Sequence, residues 1–198
     1  EAGSLSQSLS IIPGEIDILW QVTDAYTHPF YNGKALPSPG ATIKAVALPN
    51  LGIGEKASSL VYQWSRNRKS APGESGYGKN SFTFKNSYLD PAERISVSAS
   101  SLGGNSGATG DISVPIVRPF VLFYEDRPLS GVRYERALGG VFNLAKEEAR
   151  IVAEPYNITT PGRSGGDNLS YAWQINGRGA SGAPDDPSAI ILRSESGS

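Results

Sequence analysis

Cysteine and methionine are both absent from this 198-residue chain, and histidine occurs once. Without cysteine there is no disulfide, no thiolate metal site and no cysteine nucleophile. A Ser-His-Asp triad would have to use His28, in the loop-like stretch Thr27-His28-Pro29-Phe30. A lone histidine rarely makes a site, so His28 is expected to be an exposed loop residue. Charge is also scarce, at 19 % of residues with a net charge of −1. Basic residues are scattered apart from Arg66, Arg68 and Lys69, which argues against the basic stripe of a nucleic-acid binder. No apolar run approaches the ~18 residues that span a bilayer, so no membrane span is expected in this segment. Long helical patterns are lacking too. The best of them, Asn143 to Arg150, runs straight into Ile151-Val152 and reads as the approach to a strand. The chain begins Glu1-Ala2-Gly3 and reads as a processed chain or a fragment, with any signal peptide already removed.

What is plentiful is turn chemistry. Gly (23) and Pro (14) together approach a fifth of the chain, while hydrophobic residues make up 38 %. That mix suits short strands joined by frequent turns. Strands are predicted at Ile16 to Val22, Thr42 to Leu48, Leu60 to Trp64, Ser81 to Phe84, Ile95 to Ala99 and Asp111 to Val114. Turn residues separate them at Pro37-Ser38-Pro39-Gly40, Pro72-Gly73 and Gly103 to Gly107. Strands at this spacing, with no helices between, predict a β-sandwich.

The pattern then recurs. Lys44 to Pro49 matches Arg150 to Pro155, Leu60 to Trp64 matches Leu169 to Trp173, and Phe82-Thr83-Phe84 matches Ile190-Ile191-Leu192. Asp17 to Trp20 matches Val121 to Tyr124, and a Pro-to-Gly stretch follows each, Pro29 to Gly33 and Pro128 to Gly131. Five blocks in one order predict an internal repeat. The predicted fold class is all-β: two tandem β-sandwich domains, residues 13–116 and 117–198, the second lacking counterparts of the last two strands. Residues 1–12 alternate like a strand and read as the final strand of a preceding unit or as an N-terminal donor strand. The simpler expectation places the missing strands downstream. The alternative is strand donation between subunits into a filament.

Tyr62-Gln63-Trp64 and Tyr171-Ala172-Trp173 resemble the central-strand signature of Ig-like and PKD-type repeats. That resemblance implies a core position for Trp64 and Trp173. It also implies a hairpin turn at Asn176-Gly177, for which the first copy has the less standard Arg66-Asn67-Arg68. The antibody-type disulfide has no counterpart. Asp17 to Trp20 with Pro29 to Leu36, Val121 to Glu125 and Ala153 to Tyr156 are similar to a recurrent stretch in multi-domain envelope proteins of bacteria with small genomes. This second likeness implies an extracellular, cell-surface location.

No catalytic set emerges. No Gly-x-Ser-x-Gly elbow lies between a strand and a helix. Gly73 to Lys79 departs from a phosphate loop because Asn80 follows Gly78-Lys79. Asp185-Asp186 and Glu147-Glu148 are adjacent carboxylate pairs, and the expectation for the former is solvated turn residues. A Ca²⁺ reading joins Asp185 and Asp186 to Asp167 and Asn168, without the spaced ligand run of a dedicated loop. Asn157-Ile158-Thr159 and Asn168-Leu169-Ser170 match the glycosylation sequon. Tyr26, Phe30 and Tyr31, in a Pro-rich loop, are the candidate ligand patch. The expected role is a non-enzymatic structural module: a spacer or subunit of a surface-attached or filamentous assembly, with other subunits or neighbouring repeats as partners and no cofactor. Adhesion or glycan binding through the loop aromatics is the alternative, and a carboxylate-dependent hydrolase the third.

Overall fold

Every predicted strand run carries β-branched or aromatic residues in alternation, and nearly every one of them forms a strand. The computed structural model describes residues 14–28, 30–51, 56–87, 89–104, 106–140, 142–144, 148–159 and 169–194. The expected strand at residues 1–12 lies outside them. The fold is all-β and sandwich-like. Among the described residues the only helical elements are two short 3₁₀ turns, and no helix is long and apolar enough to cross a membrane. The chain divides into two compact units, Glu1–Thr23 with Thr42–Ile116, and Asp24–Ala41 with Val117–Ser198. The segment 24–41, expected in the first domain, therefore groups with the second.

In unit 1 the strands are β1 (Gly14–Val22), β2 (Thr42–Asn50), β3 (Leu60–Arg66), β4 (Lys69–Ser70), β5 (Gly76–Tyr77), β6 (Ser81–Lys85), β7 (Ala92–Ser101) and β8 (Gly107–Pro115). Their order is β4-β3-β7-β8-β1-β2-β6, with β5 on β3. β1 pairs antiparallel with β2 over its length but parallel with β8 only at Gly14 and Glu15, so it passes from one layer to the other. Alternation does the rest, because residues of one parity share a face. Ile16, Ile18, Ile43, Ala45, Phe82 and Phe84 come from the β1-β2-β6 layer. Leu60, Tyr62, Trp64, Ile95, Val97 and Val114 come from the other, and all twelve join one core. Gly110 is fixed by close packing, since a Cβ there would lie 2.3 Å from the Ile16 carbonyl oxygen. The Gly73–Lys79 loop is a 3₁₀ turn followed by β5, and Lys79 Nζ donates to Gly73 O at 2.6 Å within the loop itself.

Unit 2 holds β9 (Phe120–Arg127), β10 (Gly131–Val132), β11 (Glu148–Tyr156), β12 (Trp173–Ile175), β13 (Arg178–Ala180) and β14 (Ala189–Arg193). A four-stranded sheet runs β10-β9-β11-β14, and β12-β13 form a separate hairpin. Directly opposed residues in an antiparallel pair share a face. Phe123 opposite Ala153, and Ile151 opposite Ile190, therefore lie on one face. Tyr124 opposite Val152, and Leu122 opposite Glu154, lie on the other. Trp173 packs on the first face, its ring centroid 5.9 Å from that of Phe123.

Two sequence expectations need correction. Trp173, expected in a core like Trp64, is only half-buried, whereas Trp64 is 1 % exposed. β3 has β7 along its other edge, whereas among the described residues no strand covers β12 in that way. The match of Trp20 to Tyr124 is also one residue out of step. Trp20 faces Ala45, while Tyr124 faces Val152 rather than Ile151, the residue matched to Ala45. Tyr124 thereby points to the sheet face opposite to Phe123.

Candidate functional site

The segment 24–41 cannot form a ladder strand, because Pro29, Pro37 and Pro39 lack the N–H a ladder needs. It instead wraps the Tyr124 face of unit 2. Ala25 bridges Thr159, Tyr26 N donates to Ile158 O at 3.0 Å, and Val117 N donates to Pro37 O at 2.9 Å. Asn157, with φ at 55°, turns the chain after β11, and its side-chain amide donates to Arg118 O at 3.2 Å. Left-handed backbone of this kind favours Asn among non-glycine residues.

His28 is at the centre of the wrap and is 5 % exposed, contrary to the exposed loop histidine expected. An isolated loop histidine has no reason to bury, but this one is enclosed by rings. Phe30 stacks on it at 5.1 Å, Tyr156 lies 4.4 Å away, and Tyr26 meets it edge-on at 5.0 Å. Its Nδ1 is 3.6 Å from Glu154 Oε1 and 3.4 Å from the Tyr26 hydroxyl. Glu154, itself 3 % exposed, accepts the Tyr134 hydroxyl at 3.2 Å. Burial of a carboxylate requires such partners. The Tyr124 and Tyr156 hydroxyls share a 2.7 Å hydrogen bond. Desolvation, and then that bond, push the Tyr156 phenol far above the tyrosine range, so it is neutral at physiological pH.

Above this buried layer opens a cavity of about 200 Å³, lined by Tyr26, His28, Phe30, Tyr31, Phe120 and Tyr156 among others. All three residues named from sequence as a ligand patch thus line one concave surface. Phe30 and Tyr31 are about half exposed, at 49 % and 47 %, and the Tyr31 hydroxyl is anchored on Lys34 O at 3.0 Å. Phe120 stacks on Tyr156 with planes 6° apart. The volume is below the roughly 300 Å³ of drug-sized pockets, which suits one ring or one side chain with an apolar face. Aromatic faces of this kind take up the C–H face of a sugar or another ring.

Sequence reasoning missed Phe120, Tyr134, Glu154 and Tyr156. One signal was present: Glu154 stands where the first copy has Leu48, a charge inside an apolar strand run. Of the adjacent carboxylates named from sequence, the described ones, Asp185, Asp186 and Glu148, have cationic partners. Asp185 lies in a turn and is exposed, as expected, and both it and Asp186 pair with one cation: Arg150 reaches Asp185 at 2.9 Å, Asp186 at 3.7 Å and Asp126 at 3.1 Å. The Arg150 hydrogen bond, in first place, holds the Asp185 carboxyl below its usual range. The cation these carboxylates face is thus a guanidinium. Asp167 and Asn168 of the Ca²⁺ reading, and Glu147, lie outside the described residues. Glu148 pairs with Arg193 at 2.8 Å. Compared with protein-family models, curated proteins and solved structures, the chain matches none.

Proposed function

We propose that this chain is a non-enzymatic extracellular structural module built from Ig-like sandwich units, serving as a spacer or subunit of a surface-attached assembly. The observation that carries the reading is one tryptophan contact made twice. Trp64 Nε1 donates to Lys79 O at 2.9 Å, and Trp173 Nε1 donates to Pro187 O at 3.0 Å. Each acceptor lies three residues before the strand residue matched by sequence, Phe82 in one unit and Ile190 in the other. Other features agree. The layer β1-β2-β6 and the run β9-β11-β14 have the same strand order. Ile43 faces Phe84 and Ala45 faces Phe82, just as Ala149 faces Leu192 and Ile151 faces Ile190. Three residues after each tryptophan a left-handed two-residue turn begins, Asn67-Arg68 and Asn176-Gly177, all four with positive φ. Folds of this kind serve many functions, so the role rests on the repeated plan and the envelope-protein likeness. Immunogold labelling of unpermeabilised source cells, with antibody to the purified chain, tests it. Label at the surface is the expected result. Label only after permeabilisation contradicts the location.

The second reading, adhesion or glycan recognition, is favoured by the convergence of Tyr26, Phe30 and Tyr31 on one cavity. Phe30→Ala removes an exposed stacking face while His28 keeps Tyr26 and Tyr156 around it. On a glycan array the wild type is expected to retain a ligand that Phe30→Ala loses by about 10-fold, the effect of one stacking ring. Equal binding by both proteins, or none by either, removes this reading.

A further inference from the structure

The open face of unit 2 has an occupant that this chain itself can supply. In unit 1, β3 is hydrogen-bonded on both edges, to β4 and β5 on one side and to β7 on the other. β7 then lays Ile95, Val97 and Ala99 into the core beside Tyr62 and Trp64. In unit 2, β12 pairs with β13, and among the described residues no strand pairs with its other edge. The apolar face beside that edge is exposed, with Val121 at 49 %, Phe123 at 42 % and Ile175 at 43 %. A groove of about 240 Å³ runs there between Val121, Phe123, Ala153, Pro155 and Trp173. The edge segment Trp173-Gln174-Ile175 carries no lysine, proline or other charge of the kind that guards free edges.

We propose that residues 4–12 of a second copy dock along β12 and take the place that β7 has in unit 1. This rests on the reading that both units follow one plan. The segment Ser4-Leu5-Ser6-Gln7-Ser8-Leu9-Ser10-Ile11-Ile12 lies outside the described residues, but its pattern is informative. Ser4, Ser6, Ser8 and Ser10 alternate with Leu5, Gln7, Leu9 and Ile11, which apart from Gln7 is the alternation of Ile95-Ser96-Val97-Ser98-Ala99-Ser100 in β7. A docked strand with that pattern presents Leu5, Leu9 and Ile11, with the uncharged Gln7 between them, to the Phe123 and Trp173 face and its serines to water. Main-chain hydrogen bonds supply affinity, and pockets for alternate side chains supply register. The segment bears no charge, so no buried charge opposes docking. Donor and acceptor are different surfaces. The contact is heterologous, and it propagates copies head to tail.

Sedimentation velocity on the full chain and on paired variants tests this. The wild type is expected to grow in mass with concentration. Leu9→Asp, which spoils the donor, and Ile175→Asp, which spoils the acceptor at an exposed residue, each weaken assembly by on the order of 100-fold, since each forces a charge into an apolar contact. Mixed in equal amounts, the two variants form dimers and nothing larger, because only one intact donor meets one intact acceptor. Ser8→Asp, on the solvent side of the donor, assembles as the wild type does. A wild type that is monomeric at every concentration overturns the inference. So does a variant mixture that stays monomeric, or a Leu9→Asp chain that assembles normally. Surface label with a monomeric chain sinks the inference alone, and an assembling chain without surface label sinks only the functional reading.

Discussion

Replacing Glu93 by glutamine is expected to destabilise unit 1 by about 3–5 kcal/mol, the cost of breaking a buried ion pair from one side. Glu93 is on β7, wholly buried, and its two oxygens take four donors. Arg66 reaches it through Nε at 2.8 Å and Nη2 at 2.5 Å, Asn67 through its side-chain amide at 2.7 Å, and Ser87 through its backbone N–H at 3.0 Å. Arg66 also donates to Lys85 O at 3.0 Å and lies over the Phe84 ring at 4.5 Å. One carboxylate thus ties β7 to the β3–β4 turn and to the end of β6. Glutamine keeps the shape but offers an NH₂ to groups that are themselves donors. A calorimetric scan is expected to lower the Tm of this unit by more than about 10 °C. A loss within 1 kcal/mol contradicts the account.

The same carboxylate sets a pH dependence. Burial alone would raise its pKa, but the Arg66 hydrogen bond and charge, the Ser87 N–H and Asn67 outweigh burial, and the net shift is downward. A depressed folded-state pKa means the contribution is complete above the unfolded value, about 4.3. It is lost as pH falls through the lower, folded value. The gap between wild type and Glu93→Gln is therefore constant near neutrality and closes in acid.

The second large effect separates the two tryptophans. Trp64→Ala is expected to cost about 3–5 kcal/mol, as for other buried large-to-small changes. Trp64 is 1 % exposed, its ring lies 5.7 Å from that of Phe82, and its indole N–H donates to Lys79 O. Trp173 makes the corresponding hydrogen bond but is half-buried, so Trp173→Ala is expected to cost about 1–2 kcal/mol, scaled to the smaller area removed from water. Urea titrations of the single variants, followed by circular dichroism, read both values. Equal costs would mean that the Phe123 face of unit 2 is covered as fully as the core of unit 1.

Much of the fold was legible because strand periodicity is local. The alternation in Ile95 to Ala99 and the Phe82-Thr83-Phe84 triplet located β7 and β6 without any knowledge of their partners. The short strands β4, β5, β10 and β13 were not visible, since two or three residues carry no period and exist only because a neighbour offers hydrogen bonds. The turn at Asn67-Arg68 has a less standard sequence than Asn176-Gly177, yet both adopt the same left-handed geometry. Arginine reveals no turn preference in sequence, whereas the strand twist imposes the turn regardless. The site was legible in part. Tyr26, Phe30 and Tyr31 stand out as aromatics in a loop too rich in proline to be a strand, and they line one cavity. The burial of His28 was not legible, because its partners Tyr134, Glu154 and Tyr156 are more than 100 residues away in sequence. No local pattern encodes a contact across that separation. The one-residue offset of Tyr124 had the same cause, since register is a property of the pair and not of either strand.

The proposed shared plan of the two units leaves the outer edge of β12 without a strand among the described residues. Backbone hydrogen exchange on dilute, monomeric chain tests it most directly, by comparing β3 with β12 and β2 with β11. The account predicts slow exchange in β2, β3 and β11, and fast exchange in Trp173–Ile175, whose outer edge pairs with no strand among the described residues. Protection of Trp173–Ile175 as strong as that of Leu60–Arg66 in the monomer would contradict it.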